Sequence, residues 1–247
     1  MKYKSSNAAE FHKEKDDIFD RIALRYDLLC DLFSFGIHRI WKRRVAKKIA
    51  EEPWSNLLDT ASGTGDIVLR IVNKSNLQPN QNIIVSDICD KMLSMAEKRL
   101  NRFKSNLNFE ILDIHSMPSI KSESIDLYSM SLGLKICDRQ KALTEAYRVL
   151  RPGGRLIILE ASNIPVSWLH HLYLFYMSLC MPFIGWFATK GDTSAYKYLL
   201  QGVKDFPGAE ELEREIYSYG YKNVLFERLS WGIVAIHTAQ KPEINEA

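Results

Sequence analysis

Between Asn56 and Glu160, short apolar runs alternate with stretches of helical spacing, and the turns joining them are too short to hide another element. Apolar runs at Asn56–Thr60, Asn82–Asp87, Leu107–Asp113, Ile125–Met130 and Arg155–Glu160 predict strands. Helices are predicted over Asp66–Val72, Asp90–Phe103 and Arg139–Leu150, the last stopped by Pro152-Gly153-Gly154. This alternation implies a mostly parallel sheet with helices on both faces. A helix over Glu210–Tyr219 with Gly220 as its stop precedes two more strands, Asn223–Leu229 and Trp231–Ala239. Too few residues separate those two for a crossover helix, so they must pair antiparallel. The fold class is therefore α/β: a doubly wound, mostly parallel seven-stranded sheet whose last strand runs antiparallel.

In such a sheet a ligand binds beyond the C-terminal strand ends, where the strand order reverses. The first predicted strand ends in Asp59-Thr60-Ala61-Ser62-Gly63-Thr64-Gly65-Asp66, a glycine-rich turn opening into a helix. Gly63 and Gly65 permit a close approach of backbone to ligand. Asp87 closes the second strand 22 residues after Gly65, where an acid in this architecture grips ribose hydroxyls. A dinucleotide site would want a third glycine where Val68 stands, and a pyrophosphate over the helix start, where Asp66 would repel it. An acid there suits a cationic, phosphate-free nucleoside such as S-adenosyl-L-methionine (SAM). Asp113 and Ile114, closing strand three, would meet its adenine, the carboxylate accepting from the amino group. Met92 is placed to pack nearby, in the ligand site or in the core.

No repeat or linker-like tract appears, so residues 1–247 read as a single domain with a helical N-terminal cover over 16–50 and an insertion over 163–207. Ser34-Phe35-Gly36 interrupts the cover, and the helix from Ile37 to Ala50 carries Arg39, Lys42, Arg43, Arg44, Lys47 and Lys48. That run is either a solvated face or an attraction to anionic lipid or substrate. In the insertion, Trp168–Ala188 approaches the length of a bilayer span. His170, His171, Pro182 and the following Lys190 and Asp192 argue instead for a helix and turn that pack on a core or touch a membrane surface. Glu10, Lys13, Asp16 and Asp17 interrupt the N-terminus before an apolar run can form, which argues against a signal peptide. With Cys30, Cys89, Cys137 and Cys180 scattered singly, a cytoplasmic protein is expected, and neither cysteines nor histidines are spaced for a metal. The 33 basic against 30 acidic residues give a net charge of +3, too mild to argue for nucleic acid.

Several segments go beyond the general pattern: Arg25-Tyr26-Asp27, Ser34 to Arg43 (SFGIHRIWKR), Gly63-Thr64-Gly65-Asp66, Tyr147 to Arg155 (YRVLRPGGR), Tyr196-Lys197-Tyr198-Leu199 and Gly232 to His237 (GIVAIH). On these residues the chain resembles the class I methyltransferases, and more closely the ubiquinone/menaquinone biosynthesis C-methyltransferase family, from about Phe19 to Ala239. The resemblance implies SAM-dependent methylation of a ring carbon on a polyprenylated quinol. It implies cofactor contacts at Thr64, Asp87, Asp113 with Ile114, and Ser131. Where the family usually has glycine the chain has Ser62, and the family's Ser-Phe-Gly-Leu-Arg-Asn segment reads Ser131-Leu132-Gly133-Leu134-Lys135-Ile136. The usual polar pair beside the quinol is thus altered.

Methyl transfer to a ring carbon needs an electron-rich ring, an in-line approach and removal of the ring proton. Tyr26 and His38 are candidates to line the pocket, and the aromatic insertion suits an apolar tail. Lys135 is expected to stabilise quinolate, with Asp66 accepting the proton directly or through water, and solvent or Tyr26 the alternative. Peripheral contact with the inner face of the cytoplasmic membrane is expected, and homodimerisation is left open. Methylation of oxygen or nitrogen on another small metabolite stays an alternative, as does a non-catalytic member of the fold.

Overall fold

The computed structural model describes residues 23–74, 77–189 and 194–243. Residues 16–22 of the expected cover, Lys190 and Asp192, and the side chains of Tyr196, Lys197 and Tyr198 lie outside what is described. Seven strands form one sheet: β1 (Asn56–Thr60), β2 (Asn82–Asp87), β3 (Leu107–Ile111), β4 (Ile125–Ser131), β5 (Leu150–Ala161), β6 (Lys222–Leu229) and β7 (Val234–Gln240). Their order is β3-β2-β1-β4-β5-β7-β6. Pairing is parallel from β3 through β5, and β7 runs antiparallel to both β5 and β6. The expected architecture holds. Its switch point lies between β1 and β4, which pair Thr60 with Met130 at their C-terminal ends.

Helices cover both faces: α1 (Tyr26–Ser34), α2 (His38–Glu51), α3 (Asp66–Lys74), α4 (Asp90–Leu100), α5 (Arg139–Val149), α6 (Ser167–Thr189), α7 (Ser194–Asp205) and α8 (Ala209–Ser218). Successive strand residues point to opposite faces, so a strand buried on both sides must be apolar at both parities. Leu57, Ile157 and Leu159 accordingly pack with Val45 and Ile49 of α2, Ile67 and Ile71 of α3, and Ala96 of α4. Their neighbours Leu58, Leu156 and Ile158 pack on the other face with Leu143 of α5 and Leu212 and Ile216 of α8.

Two strand starts depart from the sequence reading by three residues or more. Strand β5 begins at Leu150 rather than Arg155, because Gly153 and Gly154 exchange backbone hydrogen bonds with Lys241 and keep the Pro-Gly-Gly segment in the sheet. Strand β7 begins at Val234 rather than Trp231, because Ser230 (φ +50°), Trp231 (φ +59°) and Gly232 (φ +102°) form a left-handed turn ahead of it.

Over the C-terminal strand ends lie α1, α6 and α7. A turn at Phe35-Gly36 ends α1, with Gly36 N–H donating to Asp31 O at 2.9 Å. The Phe35 ring stands 6.2 Å from that of Tyr176 on α6. Among the described residues no helix is long and apolar enough to cross a membrane.

Candidate active site

Two cavities open beneath this cover. The first is a cleft at the switch point, lined by Gly63 of the β1–α3 turn, Asp87 and Met92 beyond β2, Asp113, Ile114 and His115 beyond β3, and Ser131 to Gly133 beyond β4. Neither lysine nor arginine lines it, whereas two acids do. Asp87 Oδ2 accepts the Gly63 N–H at 2.8 Å and Oδ1 accepts the Cys89 N–H at 2.9 Å, which fixes the carboxylate plane at the cleft wall. Ser131 Oγ is buried there without a hydrogen-bond partner. A buried hydroxyl left unsatisfied costs free energy, so it marks a place for a polar ligand atom.

Asp113 is held by His115, whose Nδ1 lies 2.8 Å from Asp113 Oδ1. The Asp138 N–H donates to His115 Nε2 at 3.1 Å. A backbone N–H can only donate, so Nε2 is unprotonated and Nδ1 carries the proton toward Asp113. His115 thus orients an acid of the cleft, a role that nothing in the sequence announced. The other residues of the glycine-rich turn act at one remove. A Cβ on Gly65 (φ +75°) would stand 3.0 Å from Ala96 Cβ and from Leu100 Cδ1, so glycine there lets α4 pack on the turn. Thr64 Oγ1 donates to Asp27 Oδ1 at 2.8 Å and accepts from Arg99 at 3.0 Å, tying α1 to α4 rather than lining the cleft.

The second cavity encloses about 640 Å³ between α1, α2, α6 and α7. Leu29, Phe33, Trp41, Ile164, Leu169, Met177 and Val203 are among its mostly apolar walls, and Tyr26, Cys30, His38, Lys135, Tyr173 and Tyr176 are its titratable groups. Tyr26 and Leu132 line both cavities, so these two side chains form the boundary at which contents of the two would meet. Cys30 beside it and then burial raise the Tyr26 phenol well above its ordinary value, which keeps it a hydrogen-bond donor at neutral pH.

Asp66 lines neither cavity. Its carboxylate meets Lys42 Nζ at 3.3 Å and Arg70 Nη2 at 3.1 Å. Burial pushes the Asp66 carboxyl up, but these two cations outweigh it and hold it below the usual range. A carboxylate so stabilised is a weak base, which counts against the proton-accepting role expected of it.

Lys135 does face the larger cavity, where its ammonium reaches Glu160 Oε1 at 3.1 Å and the Leu132 carbonyl. Ile136 lines the cleft instead. The 3₁₀ turn Leu134–Ile136 rotates about a third of a turn per residue, so neighbours cannot share a wall.

The profile of the ubiE/COQ5 methyltransferase family matches residues 7–241. A ubiquinone/menaquinone biosynthesis C-methyltransferase UbiE of Rickettsia bellii is 38% identical over 244 residues, 97% of this chain and 97% of that protein. The chain belongs to the ubiE/COQ5 methyltransferase family. A UbiE of Rickettsia felis is also 38% identical, over 231 residues and 92% of each chain. Among solved structures, a SAM-dependent methyltransferase from Thermotoga maritima, described as a possible histamine N-methyltransferase, superposes with a TM-score of 0.62. At 19% identity over 91% of this chain and 98% of that one, it shares the fold.

Within this family fold, two residues besides His115 escaped the sequence reading. Asp59, the next-to-last residue of β1, is buried, accepting from Ser129 Oγ and, at 2.6 Å, from Ser62 Oγ. Burial pushes its carboxyl up to about 6 against those hydrogen bonds. Glu160, at the end of β5, is equally buried. An acid closing an otherwise apolar strand was the available signal in both cases (NLLDT, RLIILE).

Proposed function

We propose that this methyltransferase uses SAM to methylate a ring carbon of a polyprenylated quinol, a reading supported by relatives named as C-methyltransferases of ubiquinone/menaquinone biosynthesis. The observation that carries the reading is the apolar cavity of about 640 Å³ sharing Tyr26 and Leu132 with the cleft. A soluble metabolite would leave most of that wall unpaired, whereas a quinol with an isoprenoid tail would cover it.

The cleft residues fit SAM, which when bound supplies an electrophilic methyl. Asp87 would take the ribose hydroxyls, Asp113 and Ile114 the adenine, and Ser131 a polar atom of the nucleoside. The absence of basic residues from the cleft favours a ligand with cationic rather than phosphate groups. Tyr26, a donor at the boundary, would orient the ring. Lys135 would stabilise negative charge on a quinol oxygen, with its ammonium positioned by Glu160.

The rim of the large cavity suits delivery from a bilayer. Trp231 is 82% exposed and Phe35 is 76% exposed, and both line the cavity. Trp168, Phe175 and Leu179 extend the apolar surface along α6. The basic residues of α2 contribute less than their number suggests. Arg39 pairs with Asp31, Lys42 with Asp66, Lys47 with Glu51, and Arg44 and Lys48 with Glu227. Peripheral membrane contact would therefore rest on aromatic insertion more than on attraction to anionic lipid.

The test supplies purified protein with SAM and, in separate reactions, a demethylated naphthoquinol and a benzoquinol with short prenyl tails, followed by mass spectrometry. A methyl on a ring carbon of either supports the reading, and the preferred ring identifies the substrate. Transfer only to oxygen or nitrogen, or to neither quinol, defeats it.

A further inference from the structure

The large cavity contains few groups able to accept a proton. Burial and neighbouring groups raise the phenols of Tyr26, Tyr173 and Tyr176, and the thiol of Cys30, above their ordinary values. The Lys135 ammonium donates to Glu160. His38 remains, and its hydrogen bonds determine which nitrogen is basic. Ser34 Oγ donates its single proton to Cys30 O at 2.7 Å. At 2.8 Å from His38 Nδ1 it can then only accept, so Nδ1 carries the ring proton. Among the described residues no hydrogen bond reaches Nε2, which is left with its lone pair in a residue that lines the cavity. Burial and then Lys42 lower the pKa of His38, which keeps this form present at neutral pH. Asp31 Oδ1 lies 3.8 Å from Nδ1, close enough to steady a charged imidazolium.

We propose that His38 is a catalytic base: its Nε2 takes the hydroxyl proton of the quinol, with Ser34 fixing the tautomer and Asp31 the counter-charge. The assignment rests on the quinol reading above. As the O–H bond breaks, the proton passes to Nε2 and the oxygen's electron pair enters the ring. The carbon ortho or para to that oxygen bonds to the methyl, while the methyl–sulfur bond breaks and its pair returns to sulfur. Solvent water then removes the ring C–H proton, aromaticity returns, and the oxygen recovers its proton from the imidazolium. One proton is released overall. The arrangement separates ionisation of the oxygen, done by His38, from stabilisation of the resulting charge, done by Lys135.

The charged groups facing His38 are Asp31 on α1, Arg39 and Lys42 on α2 and Asp66 on α3, with Lys135 lining the same cavity. The decisive variant is His38→Asn, whose amide can still donate to Ser34 but offers no basic nitrogen. With SAM saturating, kcat should fall at least tenfold and on the order of 10²-fold. The SAM Kd, measured by calorimetry, should stay within threefold. The deficit should shrink as pH rises and the quinol ionises in solution, which a merely structural role would not produce. Nitrogen NMR of the wild-type imidazole, without any ligand, gives an independent reading should the variant fail to fold. Proton on Nδ1 at pH 8 supports the assignment. Proton on Nε2, or a kcat loss below tenfold, or a loss unchanged across pH, overturns it while leaving quinol methylation intact. Wild-type protein that methylates no quinol overturns the substrate reading, and this assignment with it.

Discussion

Lys135 Nζ lies 3.1 Å from Glu160 Oε1, and the Glu160 side chain is closed to solvent. Replacing Lys135 by methionine would strand a buried carboxylate. Breaking one partner of a buried ion pair typically costs about 3–5 kcal/mol, more than the pair itself contributes. Urea unfolding should therefore show Lys135→Met losing several kcal/mol, with Lys135→Met/Glu160→Gln recovering most of it. Equal stability of the two variants would mean that Glu160 carries no charge needing a partner. Any loss of activity in Lys135→Met alone has to be judged against that destabilisation, and Lys135→Arg keeps the pair while restoring the residue usual in the family.

Asp87 is fixed by the Gly63 and Cys89 N–H groups, one to each carboxylate oxygen. An ionised carboxylate offers about four lone-pair sites, more than the two that these N–H groups take. Asp87→Asn replaces one acceptor with a donor, so it should weaken SAM binding at least tenfold, counting about 1.5–3 kcal/mol for a charged hydrogen bond. Calorimetry checks this, with far-ultraviolet circular dichroism confirming an intact fold. Unchanged affinity would remove Asp87 from the cofactor site.

The buried Asp59 makes stability depend on pH with an unusual sign. Its folded pKa, about 6, is raised above the ordinary carboxylate value of about 3.8. The native state therefore binds the proton more tightly than the unfolded chain does, and stability declines as pH rises between those values. A shift of this size corresponds to on the order of 3 kcal/mol. Relative to an Asp59→Asn variant, which does not titrate, wild type should lose that much between pH 4 and pH 7. Parallel curves for the two proteins would show that Asp59 ionises normally.

Much of this arrangement was legible in the chain. Strands β1 and β2 match their predicted bounds, and α3, α4 and α5 begin at the predicted Asp66, Asp90 and Arg139. These are the places where an apolar run meets a turn and local signals agree with burial. Long-range effects were hidden. Pro152-Gly153-Gly154 reads locally as a stop, yet pairing with Lys241 draws it into β5. Trp231 reads as a strand residue by its bulk, yet it occupies a left-handed turn whose Ser230 Oγ accepts from Trp41 Nε1 at 2.8 Å. The site divided likewise. The cleft acids could be found because strand ends face the ligand in a doubly wound sheet. The ion pairs of Arg39 with Asp31, Lys42 with Asp66, and Arg44 and Lys48 with Glu227 join residues from different elements, which spacing along the chain does not reveal.

Trp231 offers the sharpest test of how the protein meets a bilayer. It is exposed at the cavity rim, and its φ of +59° is unfavourable for a bulky side chain. A strained, exposed aromatic is costly to the isolated protein, which is consistent with a tip that gains its contacts from an interface. Asparagine tolerates the left-handed conformation, so Trp231→Asn removes the apolar tip while easing the backbone. Thermal stability should hold or rise, while sedimentation with phosphatidylcholine vesicles should drop severalfold. Because the cations of α2 are mostly paired, wild-type binding should change little between low and physiological salt. Binding that collapses with salt and ignores Trp231→Asn would assign the contact to charge instead, with Arg43, for which no ion pair is formed among the described residues, as the first residue to test.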